Sequence, residues 1–360
     1  MSALKQLTID GPFQMNRGEL ESPTFVYEAW GSLNPARDNA VLIFTGLSPS
    51  AHAASSKANP TTGWWEDMVG PGKPIDTSRY LVICVNSLGS CFGSTGPASI
   101  NPATGSAYRL DFPVLTVEDI ANGGKAVIAH LGIDRLHAVV GASMGGMTAL
   151  AFAMLHPDHA AGLISISSAC RSLPFSIALR SLQREMVRQD PVWCNGQYEF
   201  DKPPASGMRL ARKLGMITYR SAQEWEQRFG RERATGDLAG PPPFGIDFEV
   251  ESYLQAHAEK FVGSFDPNCY LYLSRAMDLF DVADHGGTLE KGMSRVKVER
   301  ALIIGVETDI LFPVRQQKEL AELLKLHVAD ADFRALASIQ GHDSFLVDMD
   351  RFRPAVASFF

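Results

Sequence analysis

Short apolar runs rich in β-branched residues alternate with longer amphipathic stretches through the first 170 residues. The runs at 24–30 (TFVYEAW), 40–46 (AVLIFTG), 79–87 (RYLVICVNS), 136–141 (LHAVVG) and 161–168 (AGLISISS) read as strands. Residues 116–132 (TVEDIANGGKAVIAHLG) and the alanine-rich stretch after Ser143 read as helices. Strands that are apolar on both faces belong in a mostly parallel sheet covered by helices on each side. From about residue 171 the apolar spacing becomes helical: 173–193, 206–230 and 247–265 read as amphipathic helices, separated by polar or proline-rich loops such as GPPPFG at 240–245. A strand returns in 298–313, followed by a helix at 314–327 and a strand in 331–338. The pattern predicts an α/β core in 1–170, a helical lid insertion in 171–295, and the second part of the same core in 296–360.

Composition narrows the partners. The chain has 360 residues, 45% hydrophobic and 20% charged, with a formal net charge of -7. It lacks a Lys/Arg block of the kind that tracks a phosphate backbone, so no nucleic-acid partner is expected. The N-terminus carries no basic segment followed by an apolar one, and no apolar run nears the roughly 18 residues needed to span a bilayer. No membrane partner and a cytoplasmic location are expected. Five cysteines without a C-x-x-C pair fit reduced thiols. No H-E-x-x-H occurs, and Pro157 ends the helix that would have put His156 and His159 on one face, so no metal site is expected.

The chemistry concentrates at Gly141-Ala142-Ser143-Met144-Gly145, a G-x-S-x-G between a strand and a helix. In that setting the serine occupies a sharp corner at the carboxyl edge of the sheet, facing the positive end of the following helix. A serine hydroxyl needs a base within hydrogen-bond reach and a third group to orient the base. Asp309 follows the 298–313 strand and His342 follows the last one, giving the order Ser, acid, His that this architecture uses. His130, His137, His257, His285 and His327 lack such placement. His52 lies in TGLSPSAHAASS, after an early core strand, where part of an oxyanion hole is expected. The backbone N–H groups of Leu47 and Met144 are its candidate donors.

With these residues in view, the sequence resembles the serine/homoserine O-acyltransferases of the α/β-hydrolase superfamily. The likeness runs through nearly the whole chain: GWWEDMVGPGKPIDTSRY (63–80), NSLGSCFGSTGPASINPATG (86–105), DFPVLTVED (111–119), TDILFP (308–313) and GHDSFL (341–346) resemble signature stretches of that family. The resemblance implies an α/β-hydrolase fold and a double displacement. Ser143 would take an acyl group from acyl-CoA, a co-substrate and not a bound cofactor, and pass it to an amino-acid hydroxyl. The product would be an O-acyl amino acid feeding sulfur assimilation. It also implies that Arg212 holds the amino acid's carboxylate, that Asp343 holds its ammonium, and that the protein is a homodimer joined through the insertion.

Donor and acceptor are marked less sharply. Members using succinyl-CoA on homoserine resemble one another in an arginine two residues after the catalytic aspartate, where this chain has Leu311, which alone points to acetyl-CoA. TGLSPSAHAA, NSLGSC and LPFSIALRSLQRE instead resemble the serine O-succinyltransferase branch. There the cation for a distal carboxylate would be Arg180, on one helix face with Arg184 and Arg188. Pro49, Ser50, Ala51 and His52 are the candidate acceptor-specificity residues. Serine and homoserine differ by one methylene, worth about 1–3 kcal/mol of discrimination. The expected reaction is succinyl transfer to serine, with homoserine acetylation or succinylation as the alternative. An esterase or thioesterase would use the same triad without an amino-acid clamp, and a non-enzymatic module would not need the triad.

Overall fold

The structure is a computed structural model describing residues 3–235 and 243–360. Its centre is an eight-stranded sheet. The strands are β1 (Lys5–Thr8), β2 (Thr24–Trp30), β3 (Ala40–Phe44), β4 (Leu81–Val85), β5 (Ala138–Ala142), β6 (Gly162–Ile166), β7 (Arg300–Val306) and β8 (Asp330–Leu336). They run in the order β1-β2-β4-β3-β5-β6-β7-β8. β2 is antiparallel to β1 and β4, and every other pairing is parallel.

The strands read from apolar runs are central, and β3, β5 and β6 are buried along their whole length. Successive side chains point to opposite faces. Leu42, Val139, Leu163 and Ile303 therefore join one core, while Val41, Val140, Ile164 and Ile304 join another across the sheet. The first core is covered by α1 (Val117–His130) and α2 (Met144–Leu155). Gly123 and Gly124 let α1 lie close on the sheet, since a Cβ at either would come within 2.4 Å of the Phe25 or Phe44 ring. β1, with the polar sequence KQLT, gave no strand pattern because it pairs on one side only and lies largely exposed.

Between β6 and β7 stand α3 (Pro174–Arg188), α4 (Ala205–Tyr219), α5 (Ala222–Phe229), α6 (Glu249–Phe261), α7 (Pro267–Leu279) and the short α8 (Leu289–Met293). The 206–230 stretch is two helices and not one, because Ser221 caps a new start by accepting from the Glu224 N–H at 3.0 Å. Of the proline-rich loop GPPPFG, residues 240–242 lie outside the described residues. α9 (Val314–Lys325) and the C-terminal helix (Met349–Ala357) return to the core. Residues of the insertion such as Met208, Ala211 and Leu273 share one apolar cluster with Met147 and Leu150 of α2. Among the described residues no helix is long and apolar enough to cross a membrane. The five cysteines are free thiols.

Candidate active site

Ser143 stands where β5 turns into α2, at φ 57° and ψ -124°. That conformation is costly for a residue with a side chain and persists only where its surroundings enforce it. Here the Ser143 N–H donates to the Ile166 carbonyl at 2.9 Å, pinning the corner to β6. The flanking glycines are a steric requirement: a Cβ on Gly141 would lie 1.9 Å from the Gly145 carbonyl oxygen, and one on Gly145 would lie 2.2 Å from that of Phe44.

The loop after β7 and the turn after β8 bring the other two residues to this corner. The Ser143 hydroxyl and His342 Nε2 are 2.8 Å apart, and His342 Nδ1 is 2.7 Å from Asp309 Oδ2. Asp309 Oδ1 accepts the Leu311 and Phe312 N–H groups, both at 2.9 Å, so the carboxylate is fixed on each side. Burial of His342 disfavours its charge, but the Asp309 carboxylate outweighs that and raises its pKa above 6.5. Phe312 stacks on its imidazole with ring centroids 5.3 Å apart. Among the described residues the backbone N–H groups of Leu47 and Met144 have no protein acceptor. Two donors left open beside a nucleophile are what a developing oxyanion requires.

The cavity over Ser143 has a volume of about 140 Å³. Gly46, Leu47 and Pro49 form its floor, α3, α4 and α7 its roof, and Leu311, Phe312, His342 and Asp343 one wall. Arg212 enters from α4 and lies 4.6 Å over the Phe261 ring, and its buried Nε has no hydrogen-bond partner among the described residues. An orphaned guanidinium N–H is costly until a ligand satisfies it. Asp343 keeps 24% of its side chain exposed and pairs with Arg220 at 3.3 Å. Burial raises its pKa against the pull of that arginine.

Arg180, Arg184 and Arg188 do not form the solvated stripe that their spacing allows. Arg180 is 5% exposed and lines the cavity. It donates from Nε to Asp278 Oδ1 and from an Nη to the Ser172 hydroxyl, both at 2.6 Å. Arg184 pairs with Oδ2 of the same Asp278 at 2.7 Å, while Arg188 is exposed. Two guanidiniums share one carboxylate, leaving a net positive charge at the roof. Leu311 is buried in the cavity wall, and its carbonyl accepts the Ser176 hydroxyl of α3.

The 47–52 loop is anchored from beneath. Ala51 is fully buried, the Ser50 carbonyl accepts the Trp64 indole N–H at 3.0 Å, and Pro49 faces the cavity. His52 points away from the cavity: Nδ1 is 2.9 Å from the buried Glu28 carboxylate and Nε2 is 2.8 Å from the Thr61 carbonyl. Neither Glu28 nor Asp278 was legible as a site residue, because each pairs with an arginine or histidine far away in sequence. His156 binds Asn122 and His159 the Asp134 carbonyl. Among the described residues no cluster of His, Cys, Asp and Glu could hold a metal ion.

A buried Ser-His-Asp relay on a strand-to-helix corner of this sheet defines a serine-nucleophile enzyme of the α/β-hydrolase type. The chain belongs to the α/β-hydrolase fold family, whose model matches residues 39–341. Its similarity to acyltransferases extends over the whole length. It is 58% identical over 359 residues to a serine O-succinyltransferase of Litchfieldella anticariensis, covering 99% of this chain and 98% of that one. It is 59% identical to a serine O-succinyltransferase of Stenotrophomonas maltophilia, covering 98% and 95%. Among solved structures it superposes on homoserine O-acetyltransferase from Bacillus anthracis with a TM-score of 0.91 at 29% identity, covering 100% and 98%. It superposes equally fully on esterase E22, with a TM-score of 0.89 at 30% identity. The fold therefore hosts both transfer and hydrolysis, and the site has to decide between them.

Proposed function

We propose that the protein transfers a succinyl group from succinyl-CoA to the hydroxyl of L-serine. Ser143 Oγ attacks the thioester carbonyl as its proton passes to His342 Nε2, with Asp309 stabilising the imidazolium. The Leu47 and Met144 N–H groups take the charge on the carbonyl oxygen. The C–S bond breaks, CoA leaves with the proton from His342, and an ester remains on Ser143. The acceptor hydroxyl then gives its proton to His342 and attacks this ester, and His342 returns the proton to Ser143 as O-succinylserine departs. Arg212 is suited to the acceptor's carboxylate, and Asp343 to its ammonium.

The observation that carries the donor is the uncompensated guanidinium charge at the roof, where Arg180 and Arg184 share Asp278. An acetyl group has nothing to offer that charge, whereas the distal carboxylate of a succinyl group does. The succinyltransferase relatives at 53–59% identity support the same choice. A clamp of Arg212 and Asp343 supports an amino-acid acceptor over water. The reading also places the protein in the cytoplasm, in cysteine biosynthesis, as a homodimer acting on small molecules. The test is initial-rate thiol release from succinyl-CoA and acetyl-CoA, each with L-serine, L-homoserine or no acceptor, with products identified by mass. Succinyl-CoA with serine should be fastest, and Arg180→Leu should shift preference toward acetyl-CoA. Release independent of any acceptor would make the protein a thioesterase instead.

A further inference from the structure

The active-site cavity is too small for a whole CoA thioester, being well below the roughly 300–1,000 Å³ of pockets that enclose drug-sized ligands. A second and larger space, a groove of about 950 Å³, lies on different faces of the same two helices. On α3, Arg180 and Gln183 face the cavity, while Ser181, Arg184 and Arg188 face the groove. On α7, Tyr270, Ser274 and Met277 face the cavity, while Leu271, Tyr272 and Arg275 face the groove.

The groove has the chemistry of a phosphate and base site. Three arginines line it against one carboxylate, Glu185. Arg188 and Arg275 are exposed, and among the described residues neither has a carboxylate within ion-pair distance. Guanidinium forks match phosphate oxygens, and flat bases stack on aromatic rings. Half-buried Tyr272 presents its ring to the groove, while Trp193 is 7% exposed, with Arg188 5.9 Å over it and its indole N–H donating to Asn268 at 3.0 Å. The Tyr272 hydroxyl donates to the Leu110 or Phe112 carbonyl, at 3.0 and 2.7 Å. Arg184 bonds through the wall between the two spaces. It lines the groove, donates to the Ser274 hydroxyl of the cavity wall at 2.9 Å, and shares Asp278 with Arg180.

We propose that this groove is a nucleoside-phosphate site, joined to the acyl cavity through Arg184, Asp278 and Arg180. The nucleotide would be either the tail of the CoA donor, which rests on the transferase reading, or a separate nucleotide acting on the same site.

Calorimetry with adenosine 3′,5′-bisphosphate tests the site without any turnover. Wild-type protein should bind it, and the double variant Arg188→Ala/Arg275→Ala, which alters two exposed side chains and should keep the wild-type melting temperature, should bind at least about tenfold more weakly. Adenosine and inorganic phosphate alone should each bind less well than the joined molecule. No binding by wild type, or equal binding by the folded double variant, would overturn the proposal. Absent binding with a dimer that dissociates in the double variant would also overturn it and give the groove to a second copy of the chain. Kinetics then separate the two sources. If the nucleotide is the donor's tail, the double variant should raise KM for succinyl-CoA about tenfold and leave succinyl-pantetheine unaffected. If it is a separate ligand, both KM values should stay and the bisphosphate should change the rate with succinyl-pantetheine. Nucleotide binding by a protein that transfers no acyl group would uphold the site and reject the transferase reading.

Discussion

His52 Nδ1 lies 2.9 Å from the Glu28 carboxylate and 3.3 Å from the Asn59 amide nitrogen, and Nε2 lies 2.8 Å from the Thr61 carbonyl, so an acceptor at each ring nitrogen favours the imidazolium. Burial opposes that charge, yet the hydrogen bonds to Glu28 and Thr61 raise its pKa above 6.5. A raised pKa stabilises the fold fully below the unfolded value and loses that contribution as pH rises through the folded value. His52→Ala should therefore cost on the order of 3 kcal/mol, since it strands the buried Glu28 carboxylate. The cost should be largest below pH 6.5 and shrink above it, as read by denaturant melts across pH; a cost that grows with pH would reject the imidazolium. His342 is also raised, but its work needs the neutral ring. The acidic limb of kcat/KM should thus lie above pH 6.5, and Asp309→Asn should lower that limb while reducing kcat by about 10³–10⁴-fold. An unmoved limb would mean that Asp309 is not what holds the proton on His342.

At the scale of elements, Asp278 joins α3 to α7 by holding Arg180 and Arg184 together. Asp278→Ala leaves two arginines at the cavity roof without their carboxylate and should destabilise the protein by about 3–5 kcal/mol. Asp278→Asn keeps the side chain's volume and one hydrogen-bond acceptor, and it should recover part of that loss in the same chemical denaturation series. If the alanine variant is as stable as wild type, the ion pairs do not hold the roof. The sequence made the central strands, the G-x-S-x-G corner and the Ser-Asp-His order legible because each is a local pattern. It left α7 unread, although Asp266 and Pro267 give a start signal and Asp266 caps the Cys269 N–H at 2.9 Å. Tyr270-Leu271-Tyr272-Leu273 alternates bulky apolar residues without helical spacing, because α7 is buried along most of its length and only Arg275 is exposed, too narrow a polar face to set a period. The arginine spacing on α3 was legible, but not its division between two cavities, since that depends on where α7 lies.

The whole molecule must deliver an ester on Ser143 to an amino-acid hydroxyl without losing it to water, and a fold shared with an esterase gives no assurance of that. What has to keep water out is the roof, which α3, α4 and α7 build over Ser143. Its helices are not a flap on the core, because Met208, Ala211 and Leu273 of the insertion lie in the same apolar cluster as Met147 and Leu150 of α2. Elements that share a core open together. Amide hydrogen exchange should therefore give α3 and α7 an opening free energy close to that of β5 and β6, and thermal unfolding should be a single transition by near-ultraviolet and far-ultraviolet circular dichroism alike. With the roof closed, protein mixed with succinyl-CoA and no acceptor should accumulate one succinyl adduct on the Ser143 peptide by mass spectrometry, and L-serine should discharge it far faster than water does. If α3 and α7 exchange freely while the sheet is protected, the roof opens on its own and water reaches the ester. The adduct should then decay at the same rate with or without serine, which would make hydrolysis the activity this fold performs.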